Sequence, residues 1–252
     1  MRAKIQINEA YDNITIQGEG VEVGWPATFL RVQNCPVKCV GCDSAQTYDG
    51  TEKPKFTWGK NELNFWLDSH LEKHPGIGLV VTGGEPLLHF RNEEMVEFLE
   101  EAKQKTWLSL ETSGFFSPKL FTAEDTPLLY KFLTCFKTVH CSPKVTPCLH
   151  GIWEDEQLLT NIPTIMKVLT ATNTELAFKL VVKNEADIAV VKALDDRFEW
   201  KKQGYKVFLM PYGNNPQEII DQSIKLVPIL SKYGYILSPR LHSIFWGNKR
   251  EI

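Results

Sequence analysis

A chain of 252 residues, 43% hydrophobic and 23% charged, carries enough apolar side chain for a sizeable core and has the length of one large α/β domain or two small ones. A formal charge of -3 gives no electrostatic case for nucleic-acid or membrane binding, and no stretch approaches the roughly 18 uncharged apolar residues of a membrane span. The opening MRAKIQINEAYDN has no apolar signal region, so the expected location is the cytoplasm, where six cysteines are too few for a disulfide scaffold and clustered thiols more often hold metal.

In chain order, apolar or β-branched runs recur at 27–33 (ATFLRVQ), 78–82 (GLVVT), 107–111 (WLSLE), 136–141 (FKTVHC), 176–182 (LAFKLVV), 205–210 (YKVFLM) and 235–238 (YILS), and each reads as a strand. Helical patterns lie between them. Leu63, Trp66, Leu67 and Leu71 fall at i, i+3, i+4 and i+8, and Leu158, Leu159, Ile162, Ile165, Met166 and Leu169 form a second stripe, which Pro163 is expected to split into two short helices. Asn215-Pro216-Gln217-Glu218 resembles a capping box and opens a third helix. Strands alternating with helices imply a parallel sheet with crossover connections, and with no linker or low-complexity stretch the expected organisation is one domain, residues 1–252. Polar or glycine-rich sequence follows six of the runs: NCPVKC, GGEP (83–86), TSG (112–114), SPK (142–144), PYG (211–213) and PRLH (239–242). In a parallel barrel these loops share the C-terminal face, so they predict a single composite site on a barrel or part of one.

The first of these loops, NCPVKCVGCDS at 34–44, brings Cys35, Cys39 and Cys42 within eight positions and supplies no fourth ligand nearby. Two readings of the residues stand. A structural zinc site wants four protein ligands and would recruit a distant histidine, whereas an iron-sulfur cube held by three cysteines keeps one iron open to a small molecule. Cys135, Cys141 and Cys148 lack tight spacing and read as core or incidental thiols. In FLRVQ, Leu30 and Val32 share one strand face while Arg31 projects to the other, where a guanidinium needs an anion: a substrate carboxylate bound bidentately, or Glu19 or Glu22 in a structural ion pair.

CPVKCVGC resembles the CxxxCxxC loop of the radical S-adenosylmethionine enzymes, and TGGEP at 82–86 resembles their second signature, whose backbone groups hold the amino-acid end of the cofactor. That resemblance implies an incomplete, TIM-like β/α barrel and a 4Fe-4S cluster on Cys35, Cys39 and Cys42. The fourth iron would then chelate S-adenosylmethionine, and one electron would release a 5'-deoxyadenosyl radical.

Over nearly the whole chain, TIQGEG (15–20), FLRVQNC, CDSAQTY, ETSG, SPK and PRLHSIFWGNKR are similar to the 7-carboxy-7-deazaguanine synthase family. This implies a carbon-nitrogen lyase of queuosine and deazapurine biosynthesis that contracts the ring of 6-carboxy-5,6,7,8-tetrahydropterin with loss of ammonia. Magnesium, a reductant protein such as flavodoxin or ferredoxin, and a homodimer come with the resemblance. It places substrate on Ile16, Gln17, Gly18, Glu19, Arg31, Thr82 and His242, with Gln17 and Glu19 reading the pterin's amide and amine edge. Cofactor contacts fall on Gly41, Cys42, Asp43, Gly84, Glu85, Glu111, Ser142, Pro143, Lys144, Met210, Pro211, Tyr212 and Gly213. Glu85 either bonds the methionine amine or caps the next helix, Lys144 pairs with the cofactor carboxylate, and the Ser44 hydroxyl serves magnesium. His70, His74, His89, His140 and His150 receive no role. Two rivals are weighed against this: a glycyl-radical activase, which shares both signatures but would not need Arg31, QGEG or CDS, and a non-enzymatic zinc module of three cysteines and a histidine.

Overall fold

The structure is a computed structural model and describes residues 2–117, 121–149, 155–247 and 249. Ten strands form one sheet: β1 (Ile5–Ala10), β2 (Thr15–Ile16), β3 (Pro26–Val32), β4 (Phe56–Trp58), β5 (Gly78–Gly83), β6 (Leu108–Thr112), β7 (Thr138–Cys141), β8 (Glu175–Val182), β9 (Lys206–Pro211) and β10 (Ile236–Leu237). The helices are α1 (Lys60–Lys73), α2 (Glu93–Ala102), α3 (Asp125–Leu133), α4 (Asp155–Leu169), α5 (Glu185–Phe198), α6 (Pro216–Tyr233) and α7 (Leu241–Trp246).

The sheet order is β10-β9-β8-β7-β6-β5-β3-β1-β4, with β2 also on β3. From β3 to β10 every pairing is parallel, as the alternation of strands and helices predicts. β10 and β4 end the order without pairing with each other, so the sheet is an open, incomplete β/α barrel. Each of the seven runs overlaps one of the parallel strands, to within a residue or two at either end.

β1, β2 and β4 were not legible as strands. They pair antiparallel, β1 and β2 on β3 and β4 on β1. In β1 the alternation fails because Asn8 and Glu9 are buried beside Ile5 and Ile7, so the segment reads as polar.

One expectation is overturned in α4. It continues through Pro163 as a single helix, because Leu159, Ile162, Ile165, Met166 and Leu169 keep one buried face across the proline. That packing outweighs the roughly 3 kcal/mol that an interior proline costs. Asn161 of the same helix donates through Nδ2 to the carbonyls of Gly114 (3.0 Å) and Phe116 (2.8 Å), which pins the loop after β6.

α6 opens as expected, with Asn215 Oδ1 accepting from the Glu218 N–H (3.0 Å). Glu218 reaches back to the Asn214 N–H (2.9 Å), one residue beyond the reciprocal partner of a capping box. No helix among the described residues is long and apolar enough to cross a membrane.

Candidate active site at the C-terminal strand ends

The loop after β3 carries the three cysteines, each half-buried. Asn34, Lys38 and Gly41 take positive φ (73°, 50° and 66°), which folds the loop tightly enough for its thiols to affect one another. Burial pushes the Cys35 thiol up to about 12 and Cys39 up to about 11, and raises Cys42 as well. Neighbouring thiols add to the rise at Cys35 and Cys39, and the Lys144 ammonium opposes it at Cys39 and Cys42. The Tyr48 hydroxyl lies within the influence of all three sulfurs and donates to the Cys39 carbonyl (3.1 Å).

Among the described residues, no three His, Cys, Asp or Glu side chains converge on a point that would hold one metal ion. Three thiols on one loop, with no fourth protein ligand among the described residues, match the donor set of a 4Fe-4S cube that keeps one iron open. Iron must offset the burial that keeps these thiols protonated.

GGEP packs directly on this loop. The Gly84 N–H donates to the Val32 carbonyl (2.9 Å) and the Glu85 N–H to the Asn34 carbonyl (2.8 Å). A Cβ on Gly84 would lie 1.9 Å from the Asn34 oxygen, so only glycine lets the two backbones approach this closely.

The Glu85 side chain turns inward. It is fully buried, caps the following 3-10 turn by accepting from the Leu87 N–H (2.9 Å), and accepts from the Ser113 N–H (2.8 Å) and the Ser113 and Thr112 hydroxyls. The carboxylate therefore caps the turn, as one of its two readings expects, and both of its oxygens also bind the end of β6 or the loop after it.

Arg31 and Thr82 are paired in the register of β3 and β5. Arg31 Nε bonds Glu9 Oε2 (2.8 Å) and its Nη1 donates to Ser44 Oγ (2.5 Å), which itself donates to Asp43 Oδ1 (3.0 Å). The internal anion is therefore Glu9, not Glu19 or Glu22. It escaped notice because it sits on the unrecognised strand β1. Burial alone would lower the Arg31 pKa, yet Tyr11, Glu9 and Asp43 together raise it, so the guanidinium stays charged.

Arg240, at the start of α7, ties three loops together: Nη2 to Asp43 Oδ2 (3.2 Å), Nη1 to the Gly213 carbonyl (3.0 Å), and Nε facing Glu19 Oε1 at 3.8 Å. His242 joins the same place. A Cβ on Gly18 would fall 2.2 Å from its Nδ1, and its Nε2 is 3.7 Å from Glu19 Oε1. Tyr212 brings its hydroxyl to within 3.3 Å of where a Gly41 Cβ would sit, and Met210 packs with Leu149 and Val181 beside it. Pro211 is buried at the end of β9, and Ile16 is half-buried, paired with Pro26. Lys144 Nζ donates to Ser142 Oγ (2.8 Å), and Pro143 is buried between them. Asn248 and Arg250 of the C-terminal motif, and His150, lie outside the described residues.

Beneath QGEG lies a buried polar network that sequence reasoning missed. Lys179 of β8, 2% exposed, places Nζ 2.6 Å from both Glu19 Oε2 and Glu111 Oε2. Gln17, also 2% exposed, donates through Nε2 to Glu111 Oε1 (3.1 Å) and accepts from the Glu19 N–H (3.3 Å). Its amide thus spends one N–H and one lone pair inside the network, while a second N–H and a second lone pair remain.

His140, fully buried, accepts at Nε2 from the Val21 N–H (3.0 Å), so its proton sits on Nδ1 facing Ser109 Oγ (3.3 Å) and Glu111 Oε1 (3.4 Å). Burial, helped by Lys179, holds its pKa down at about 4. Burial would raise the Glu19 carboxyl, but Lys179, His242 and Arg240 hold it well below the usual carboxylate range. Glu111 moves the other way, raised by burial. The missed signal was Lys179 itself: a lysine inside LAFKLVV, an otherwise apolar strand, has to meet a carboxylate.

Known proteins match this arrangement. The family of 4Fe-4S single-cluster domains matches residues 16–135. A crystal structure of QueE from Escherichia coli superposes with a TM-score of 0.61 at 21% identity, covering 93% of each chain. SuiB of Streptococcus suis bound to S-adenosylmethionine gives 0.53 at 12%, covering 81% of this chain and 47% of its own. An open β/α barrel whose first parallel strand ends in a three-cysteine loop braced by GGEP defines a radical S-adenosylmethionine enzyme, with its 4Fe-4S cluster and S-adenosylmethionine as cofactors.

The relatives narrow the class. A 7-carboxy-7-deazaguanine synthase of Aquifex aeolicus is 30% identical over 243 residues, covering 96% of this chain and 93% of the relative, and one of Pyrobaculum aerophilum is 26% identical, covering 94% and 93%. The chain belongs to the 7-carboxy-7-deazaguanine synthase family.

Proposed function

We propose that the protein converts 6-carboxy-5,6,7,8-tetrahydropterin into 7-carboxy-7-deazaguanine and ammonia as a single-domain enzyme of the cytoplasm. The observation that carries this reading is the junction at the end of β3, where Arg31 and Ser44 meet directly beside the cysteine loop. A cation, a hydroxyl oxygen and a cluster site are thereby gathered at one strand end, as a carboxylated substrate of a radical enzyme requires. When bound, the cluster and S-adenosylmethionine supply a 5'-deoxyadenosyl radical.

Cys35, Cys39 and Cys42 hold the cluster, and the backbone of Gly84 and Glu85 faces the amino-acid end of the cofactor. Gly41, Asp43, Glu111, Ser142, Pro143, Lys144 and the stretch Met210 to Gly213 enclose the rest of it. Arg31, already in contact with Glu9, turns its remaining guanidinium donors to the substrate carboxylate. Ser44 Oγ, which accepts from Arg31 and donates to Asp43, has a lone pair left for magnesium, a cation that prefers hard oxygen. Glu19 accepts from the N–H edge of the pterin, with Ile16, Gly18, Thr82 and His242 around it. Gln17 acts by holding Glu111. A flavodoxin or ferredoxin delivers the electron, and two copies of the chain form a homodimer.

Oxygen-free protein carrying iron, incubated with S-adenosylmethionine, a reductant, magnesium and the carboxy-tetrahydropterin, is expected to release the deazapurine and ammonia in equal amounts. Formation of 5'-deoxyadenosine without any deazapurine would reassign the substrate. A colourless protein with one zinc per chain would end the radical reading altogether.

A further inference from the structure

Glu19 and Glu111 reach the site from different parts of the fold, one from the loop after β2 and one from β6. A third element joins them. Lys179, from β8, stands between the two carboxylates and donates to Oε2 of each at 2.6 Å, while Gln17 ties Oε1 of Glu111 back to the loop that carries Glu19. All of these groups are largely withdrawn from water, so two acids without the ammonium would repel each other in a poorly solvated place. A lysine in the middle of a buried strand has no packing advantage over leucine or methionine. Its presence is explained by what it holds.

We propose that Lys179 is a positioning residue that fixes the separation of Glu19 and Glu111, and so registers the pterin against the radical source. The proposal rests on the reading of Glu19 as a substrate contact and Glu111 as a cofactor contact. With one ammonium anchoring both acids, substrate and cofactor share a single mechanical reference, and the reacting C–H bond is held where the radical forms. Loss of the anchor leaves radical generation in place but lets the two partners drift, so that radicals form without productive transfer.

The test uses cluster-loaded Lys179→Met and Lys179→Arg alongside the parent protein, with three readouts. Iron content and the change in the reduced-cluster electron paramagnetic resonance signal on adding S-adenosylmethionine should match the parent. The ratio of 5'-deoxyadenosine to deazapurine should rise about tenfold in Lys179→Met, because a misplacement of about 1 Å is enough for such losses. Equilibrium binding of the carboxy-tetrahydropterin, measured without reductant, should weaken about tenfold, equivalent to roughly 1.4 kcal/mol. Lys179→Arg keeps both acids neutralised with different donor spacing and should fall between the two. A parent-like ratio and affinity in both variants, or in Lys179→Arg where Lys179→Met fails to fold, overturns the proposal while leaving the functional reading standing. A parent that makes no deazapurine overturns both.

Discussion

Two regions of this molecule are built from opposite materials. At the antiparallel edge, a cavity of about 720 Å³ lies between β4 and α1 and is lined by Phe56, Trp58, Phe65 and Trp66, together with His70 and Asp12. At the C-terminal ends of the parallel strands, the chain instead gathers three cysteines, two arginines, a buried lysine and the carboxylates of Glu9, Glu19, Glu85 and Glu111. Apolar volume costs a fold little. Buried charge is retained only where each ion finds a partner, so the concentration of paired charge, and not the size of a hollow, marks the place selected for chemistry.

The largest break in that contrast comes from Cys39→Ala. It leaves two thiolates on the loop, and the expected outcome after anaerobic reconstitution is a protein that binds no 4Fe-4S cluster and makes neither 5'-deoxyadenosine nor deazapurine. Iron analysis and electron paramagnetic resonance decide it. A full complement of four irons per chain would mean that another residue completes the site.

Next comes the pH dependence carried by His140. Its folded pKa of about 4 lies below the ordinary histidine value because of burial, so between pH 6.5 and 4 the unfolded chain takes up a proton that the folded one refuses. Stability is therefore full above about pH 6.5 and falls as the solution is acidified, by about 2 kcal/mol between pH 7 and pH 5 from this residue. Urea unfolding at the two pH values should show that much less acid sensitivity in His140→Asn, whatever the variant's stability at pH 7. An unchanged difference would remove His140 from the network's electrostatics.

Much of this was legible in advance, and the parts that were not have a physical cause. The seven parallel strands announced themselves because both faces of a buried strand are apolar, and the cysteine loop and GGEP because their spacing is set by the chemistry they serve. Lys179 and Glu9 stayed hidden for the converse reason. Pairings between residues 22 and 160 positions apart leave no local pattern, and the strand carrying Glu9 reads as polar because its buried polar groups are satisfied only once the sheet forms. The bond from Gln17 to Glu111 stayed hidden in the same way, since residues 94 positions apart leave no local pattern either.

A gentler perturbation tests the closeness of the two signature loops. Gly84→Ala should cost about 1–3 kcal/mol and weaken S-adenosylmethionine binding, because the added methyl collides with the Asn34 backbone rather than with a flexible side chain. Gly76→Ala, where nothing lies within 4 Å, should leave both unchanged. Equal behaviour of the two variants in urea unfolding and in cofactor titration would detach GGEP from the cysteine loop. Arg31→Lys comes after it in size. A lysine keeps a charge beside Glu9 but loses the planar fork, so KM for the carboxy-tetrahydropterin should rise about tenfold with kcat within twofold and stability nearly unchanged. A parent-like KM would refute the carboxylate contact.

The smallest effect is expected at the aromatic cavity, and it is the one that most directly tries the comparison. Phe65 projects from α1 with 79% of its surface exposed, on the wall of the aromatic cavity, and none of the charged site groups lines that cavity. Its exposed ring contributes little burial, so Phe65→Ser should change unfolding free energy by less than about 0.5 kcal/mol. If chemistry is confined to the charged strand ends, kcat, KM and the ratio of 5'-deoxyadenosine to deazapurine should also equal those of the parent. A kinetic change in a variant of unaltered stability would show that the aromatic cavity communicates with the site, and buried charge would no longer be a sufficient guide to where this enzyme works.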